Sequence, residues 1–456
     1  MIKEIIYISI ILLIINYSLS LSKSYYLINS ILYLYISLFM YIIYNKNSME
    51  YIERTNVLGI DGVSISLILL LNVLYPILIW ISPNLVNVYK LNIIYIIIYI
   101  LFITIDVFIF FILFELILIP MFILISLYGS PNKRLEASYR FVIYTYAGSI
   151  LMLLSILYIY IFNGSTNLDY LIYNIYSNFN PIYILLSLLL IISLLIKLPI
   201  FPVHIWLPIV HVESPTIGSV LLAGVLLKIA SYGIYKFTIP LFNIYISYYN
   251  ILIYILIIIS IYYICFINLR QIDLKKIIAY SSIIHMNFTL FGLLSNDING
   301  LYGALYSNIS HGIVSSSLFI IIGILYVRYN HRLIYYYNNL ATYMPLLSIF
   351  IFLNILHNIS IPFSSSFISE LFILISSYNI NIVLSILLLI SLLFSTIYNI
   401  WFINRIIYNN NYYINNVLDI SYNEYIILTI LLFISTILGI FPNILLTIFS
   451  SSILMI

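Results

Sequence analysis

The 456-residue sequence predicts an all-α, polytopic membrane protein of about 14 transmembrane helices. Three observations predict it. Hydrophobic residues make up 64 % of the chain and charged residues only 7 %, whereas a soluble domain carries about 25 % charged residues. Near-continuous apolar runs reach bilayer-spanning length along the whole chain. The basic residues fall on alternate loops once the spans are counted, as the positive-inside rule requires.

The spans lie near 4–21, 25–44, 64–82, 89–105, 107–128, 139–162, 181–211, 217–237, 247–268, 275–295, 300–326, 345–377, 379–403 and 424–449. Only Asp106 separates the fourth from the fifth. Numbering each loop by the span it follows, odd loops carry Lys23, Lys90, Lys133, Arg134, Arg140, Arg270, Lys275, Lys276, Arg328, Arg332 and Arg405. Even loops carry Lys46 and Arg54, and Lys236 is expected at a helix end. Odd loops are therefore expected on the cytoplasmic or matrix side and both termini on the other. The basic segments around Arg134 and Arg270 read as topology signals or partner contacts.

Two spans are interrupted. In the seventh, Lys197 is followed by Pro199, Pro202 and Pro208. Each proline removes a backbone hydrogen bond and clashes with the preceding turn. Irregular backbone survives at membrane depth only inside protein or beside a water-filled cavity. In the twelfth, SIPFSSSFISE (360–370) again places a proline, a polar run and then a charge. An offset of five spans makes the two copies antiparallel, the mark of an inverted repeat and a pointer to a pathway site.

Charges at membrane depth are expensive and mark ion or proton routes. Glu115 sits in the middle of FFILFELILIPMF, and Lys228 about half-way along the eighth span. Each could instead be structural, a protonated carboxyl or a static ion pair. A carboxylate and a lysine in contact form a coupled, switchable proton site, so Lys197 and Lys228 each call for a partner. His285 and His311, in serine-rich surroundings, suit proton relay near pH 7, or are buried imidazoles satisfied by helix carbonyls. His204 and His211 share a face if their segment is helical, with Glu213 the one further ligand nearby, so no metal site is expected. Asp106 and His357 read as interfacial residues at helix ends.

Other classes find little support. The net charge of +3 is too small to imply nucleic acid, and one cysteine, Cys265, excludes a disulfide framework or a cysteine-held cluster. Phosphate-binding loops and dinucleotide fingerprints are absent. Heavy use of Ile, Tyr, Asn and Phe fits an AT-rich genome. The first twenty residues lack Arg-rich transit-peptide character, as expected of an organelle-encoded chain.

With these residues laid out, the chain resembles the chain-4 family of antiporter-like membrane subunits of proton-pumping NADH:ubiquinone oxidoreductase, respiratory complex I. The resemblance covers roughly 57–445. It is carried by GIDGVSISLILL (59–70), FELILIPMFILISLYG (114–129), RLEASYRFVIYTYAGS (134–149), the stretch from Lys197 to Lys236, RQIDLKKIIAYSSIIHM (270–286) and SHGIVSSSLF (310–319). It implies two inverted five-helix repeats, at 89–237 (helices 4–8) and 247–403 (helices 9–13). Helices 1–3 (1–88) precede them and helix 14 (404–456) follows. It also implies a proton path through Glu115, Lys197, Lys228, His285, His311 and Glu370. A glutamate at position 370, where sister subunits carry lysine, fits this branch. The resemblance implies no cofactor or metal on this chain, with NAD, FMN, iron–sulfur clusters and ubiquinone elsewhere in the complex. The expected partners are the other membrane-arm subunits, sister antiporter-like subunits among them, and the lipid bilayer. The expected site is the mitochondrial inner membrane, both termini facing the intermembrane space. The alternatives are a subunit of a multisubunit cation/proton antiporter and, in another class, a haem- or quinone-binding electron carrier.

Overall fold

The structure, a computed structural model, describes residues 57–453 apart from 83–84, 132, 178–179, 338 and 409–417. The first two expected spans, with Lys23, Lys46 and Arg54, lie outside the described residues. The described helices are α1 (Gly62–Ile81), α2 (Leu85–Ile103), α3 (Val107–Tyr128), α4 (Arg134–Asn163), α5 (Leu168–Ser177), α6 (Ile182–Lys197), α7 (Trp206–Glu213) and α8 (Thr216–Ile246). They continue with α9 (Asn250–Asn268), α10 (Leu274–Leu294), α11 (Ile298–Tyr329), α12 (Pro345–Asn358), α13 (Ser365–Ile380), α14 (Ile382–Ile407), α15 (Tyr422–Ile440) and α16 (Asn443–Ile453). Among the described residues, nine helices are long and apolar enough to cross a membrane, and shorter apolar helices stand beside them.

Local sequence explains the boundaries. Asp61 caps α1, its carboxylate accepting from Ser64 N while the Ser64 hydroxyl accepts from Asp61 N. Asp106 caps α3 by accepting from the amides of Phe108 and Ile109, which splits the fourth and fifth spans where its charge suggested. Gly164 closes α4 in the left-handed region at φ 72°, a conformation open to glycine at no steric cost.

The seventh span breaks after Lys197. The prolines leave carbonyls without helix partners, and the Trp206 indole donates to Ile196 O at 3.1 Å across the gap. The twelfth span breaks between Asn358 and Ser365, where Ser360 and Phe363 adopt positive φ. There the serine run supplies the missing partners. Ser364 caps α13 and donates to Ile361 O, and Ser366 donates to His357 O.

Three expectations are corrected. The eighth span does not end near Lys236: α8 runs on to Ile246, and Lys236 lies inside it, buried and ion-paired with Asp61. The fourteenth span is not continuous, because Pro442 cannot extend a helix and the chain restarts as α16 at Asn443. The loop between α4 and α6 holds α5, an amphipathic helix that buries Leu168, Leu171 and Ile175 and exposes Tyr170, Tyr173 and Tyr176.

Burial divides the bundle. The most apolar stretches of α8, α10 and α11 are 94 % buried, against 33 % for α14 and α15. These three form the centre although they are less apolar than the outward-facing α3, α9 and α14, because polar and ionisable groups at membrane depth face the bundle interior; they carry Lys228, His285 and His311. Helices α8 and α11 touch at glycines. A Cβ on Gly312 would stand 3.0 Å from Gly224 O and 2.5 Å from Leu70 Cδ1. That close approach sets Lys228, one turn after Gly224, against His311.

Candidate proton pathway

The buried charges gather into contacting groups. On α3 and the end of α6, Lys197 Nζ lies 3.4 Å from Glu115 Oε1 and sits over the Phe114 ring. The expected carboxylate–lysine pair is therefore present. Beyond it, a cavity of about 40 Å³ is lined by Lys197, Thr145 and Trp206 and by Leu226, Leu227 and Ile229 beside Lys228. A cavity above about 10–15 Å³ admits a water molecule where polar partners exist.

Lys228 is completely buried. It follows a π-helical turn, Leu222–Leu226, in the middle of α8. π-Turns inside α-helices are rare and gather at functional sites. Its ammonium donates to Ala223 O within that turn and lies 2.8 Å from His311 Nδ1. The partner is thus an imidazole and a carbonyl, with no carboxylate among the described residues. An ammonium has three donors and no acceptor, so charged Lys228 requires His311 Nδ1 to accept. That fixes neutral His311 as the Nε2–H form.

The His311 and His285 rings are 5.5 Å apart between centroids. His285 Nδ1 then stands 3.2 Å from Glu370 Oε1. This is ion-pair distance without hydrogen-bond alignment, and both Glu370 Oε1 and His285 Nε2 lack a hydrogen-bond partner. Proton-transfer groups are often loosely aligned at rest and tighten during reaction. Both side chains line a cavity of about 10 Å³ walled mainly by serine, histidine and asparagine. Glu115 and Lys197 form one contact pair, and Lys228, His311, His285 and Glu370 form a second series across α8, α11, α10 and α13.

Three features escaped sequence reading. His357, expected at an interface, is 8 % exposed and lines the Glu370 cavity. The helix end it occupies is the break inside a span. The Asp61–Lys236 pair ties the start of α1 to α8, and the Gly-Ile-Asp-Gly turn was its one sequence signal. The basic loop residues act inside the chain. Lys275 Nζ donates to Ser214 O at 2.8 Å and Arg332 to Val212 O at 2.7 Å, at the carboxyl end of α7, while Arg134 donates to Leu127 O at 3.0 Å near the end of α3. Cations at helix C-termini satisfy free carbonyls and complement the helix dipole. Glu213 is embraced by Ser130 and lies 3.6 Å from Arg332, so residues of the fifth, seventh, ninth and eleventh loops meet on one face. His211 is buried and stacked on Phe319 with 4.7 Å between centroids. No cluster of three or more His, Cys, Asp or Glu side chains is placed to hold a metal among the described residues.

Comparison with known proteins places this arrangement. A family profile described as "NADH:quinone oxidoreductase/Mrp antiporter, TM" matches residues 104–395. NADH-ubiquinone oxidoreductase chain 4 of Acanthamoeba castellanii is 42 % identical over 367 residues, covering 78 % of this chain and 73 % of the relative. Its counterpart in Wickerhamomyces canadensis is 40 % identical over 482 residues, covering 97 % and 94 %. A chain of respiratory complex I from Thermus thermophilus superposes with a TM-score of 0.87 at 22 % identity, covering 97 % of this chain and 98 % of that one. A chain of the Mrp complex from Dietzia sp. DQ12-45-1b gives 0.85 at 16 % identity, covering 94 % and 91 %. The structural likenesses establish a common fold, and the sequence relatives go further: this chain belongs to the NADH-ubiquinone oxidoreductase chain 4 family, the antiporter-like membrane subunits of respiratory complex I.

Proposed function

We propose that Glu115, Lys197, Lys228, His311, His285 and Glu370 form the route by which this subunit of proton-translocating NADH:ubiquinone oxidoreductase moves protons. The observation that carries the reading is the contact between fully buried Lys228 and His311 Nδ1. Lys228 can pass a proton to Nδ1, leaving a neutral amine and an imidazolium. The imidazolium then releases the proton it held on Nε2 towards His285, and His285 delivers one to Glu370. Each step exchanges one N–H or O–H bond for another, and no redox group on this chain takes part. The Glu115–Lys197 pair sets the charge at the head of the route. Losing a proton from Lys197 leaves Glu115 with an unbalanced negative charge, so the two groups titrate together.

In this reading NAD, FMN, iron–sulfur clusters and ubiquinone work elsewhere in the complex. The chain sits among the other membrane-arm subunits in the mitochondrial inner membrane, a location supported by its eukaryotic relatives. The repeats at 89–237 and 247–403 supply the two broken helices, and the sidedness of the loop charges puts both termini in the intermembrane space. The test is Lys228→Ala in the assembled complex. Native-gel amounts should stay near wild type, while quinone-reductase turnover and membrane potential collapse. Normal pumping by that variant would remove Lys228 from the route and the central argument with it.

A further inference from the structure

We propose that His357 is a second proton-exchanging base for Glu370, so that this carboxyl works between two imidazoles, His285 on one side and His357 on the other. The inference rests on the proton-route reading and adds to it a group outside the row of charges.

Geometry carries it. His357 is the penultimate residue of α12, at the edge of the break, and its ring forms part of the wall of the small cavity shared with Glu370, His285 and His311. Its Nδ1 lies 2.9 Å from Ser435 Oγ on α15. Ser435 Oγ also lies 2.8 Å from Leu432 O. The proposed arrangement puts the single Ser435 proton on that carbonyl, which can only accept, so that Oγ accepts from His357 Nδ1–H and Nε2 keeps the lone pair. A hydrogen bond at one ring nitrogen that fixes the other as the base is a recurring device of proton-transferring histidines.

The break fixes the ring from its backbone as well, since Ser366 on α13 donates to His357 O. Asn358 Nδ2 donates to Asn399 Oδ1 on α14 at 3.3 Å. The titratable groups around the cavity that His357 lines are Glu370 on α13, His311 on α11 and His285 on α10, with Tyr398 on α14 near Glu370; α15 presents Ser435. In the proposed step the O–H bond of protonated Glu370 breaks and an N–H bond forms at Nε2, through one water in the cavity that both side chains line. The products are a carboxylate and an imidazolium. Glu370 is then free to take the next proton from His285 while His357 holds the first.

The experiment uses the intact complex in vesicles at matched complex content. Turnover and membrane potential are followed between about pH 5 and 8, where an unperturbed imidazole changes charge. His357→Asn keeps a side-chain amide able to donate to Ser435 but cannot take up a proton. It should slow coupled turnover by about tenfold or more. Its rate profile should lose the acid limb on which wild-type activity falls as His357 becomes protonated and can no longer accept. Turnover and a pH profile matching wild type would overturn the proposal. Should that variant fail to accumulate, Ser435→Ala serves instead. It frees Nδ1 while keeping the imidazole, and must shift the acid limb; an unmoved limb overturns the proposal. Glu370→Gln is run alongside. If it is inactive while His357→Asn is normal, the route stands and the second base falls. If Glu370→Gln pumps normally, the route itself falls.

Discussion

Removing Glu115 and Lys197 singly and together tests whether the pair acts as one device. Their charged atoms lie 3.4 Å apart. At an effective dielectric of about 20, two unit charges at that separation attract by about 5 kcal/mol. The side chains are only 23 % and 11 % exposed, so solvent screens this little, but the desolvation of both groups offsets much of it. Coupling energies between contacting groups run to about 0.5–3 kcal/mol. In rate terms, 1–3 kcal/mol is roughly 5- to 150-fold. Glu115→Gln leaves Lys197 over the Phe114 ring, a contact worth about 0.5–2 kcal/mol, so the helices should stay packed and the loss should be in function. Quinone-reductase turnover and membrane potential would be measured for Glu115→Gln, Lys197→Ala and the double variant at equal complex content. The double variant should run roughly 5- to 150-fold faster than the product of the two single losses. Losses that simply multiply would show that the two residues act separately and refute the coupled-pair argument.

Other outcomes follow from the same contacts. Glu370→Asp keeps an ionisable acid one methylene short and should retain part of the turnover, whereas Glu370→Gln should lose most of it; equal activity in both would make the carboxyl structural. Lys228→Arg should not restore the activity lost in Lys228→Ala, because a guanidinium stays protonated in proteins, and turnover at matched assembly decides it. Asp61→Asn removes the carboxylate paired with the buried Lys236 ammonium. Breaking one side of such a pair is destabilising by about 3–5 kcal/mol, so assembled complex should fall on native gels. Asp61→Asn with Lys236→Met should recover part of it, and no recovery would mean the pair is not what holds α1 to α8.

The sequence disclosed those parts of the fold that chemistry makes expensive. Helices were legible because a bilayer demands long apolar runs, and the broken seventh and twelfth spans because prolines and charges are conspicuous there. Glu115 and Lys197 could be paired on paper, since a buried cation needs an anion. The partner of Lys228 could not. A lysine satisfied by an imidazole and a π-turn carbonyl leaves no charge pattern along the chain. His357 was misplaced for a related reason: a helix end in sequence is an interface only when the helix ends at the membrane surface, and α12 ends inside the bundle. The loop cations were read as topology signals, but their hydrogen bonds to Ser214 O, Val212 O and Leu127 O depend on which helix termini fold beneath them. Tertiary proximity of that kind has no periodicity to betray it.

The seat beneath the twelfth-span break reaches beyond mechanics. Gly439 lies so near the backbone of Phe363 and Ser364 that a methyl group there would collide with it. Tyr306 donates to Leu438 O, and Ser435 holds His357. Gly439 and Ser435 of α15 thus bear on the segment leading to Glu370, and Leu438 is tied to α11, though α15 faces outward and carries no charge at that level. Its sequence is therefore not free to drift as a lipid-facing helix would be. Substitutions at Ser435 and Gly439 are therefore expected to act on the proposed proton route from outside the row of acids and bases. A minimal protein cut to the helices that bear those groups would lose the surface against which its own broken helix is set.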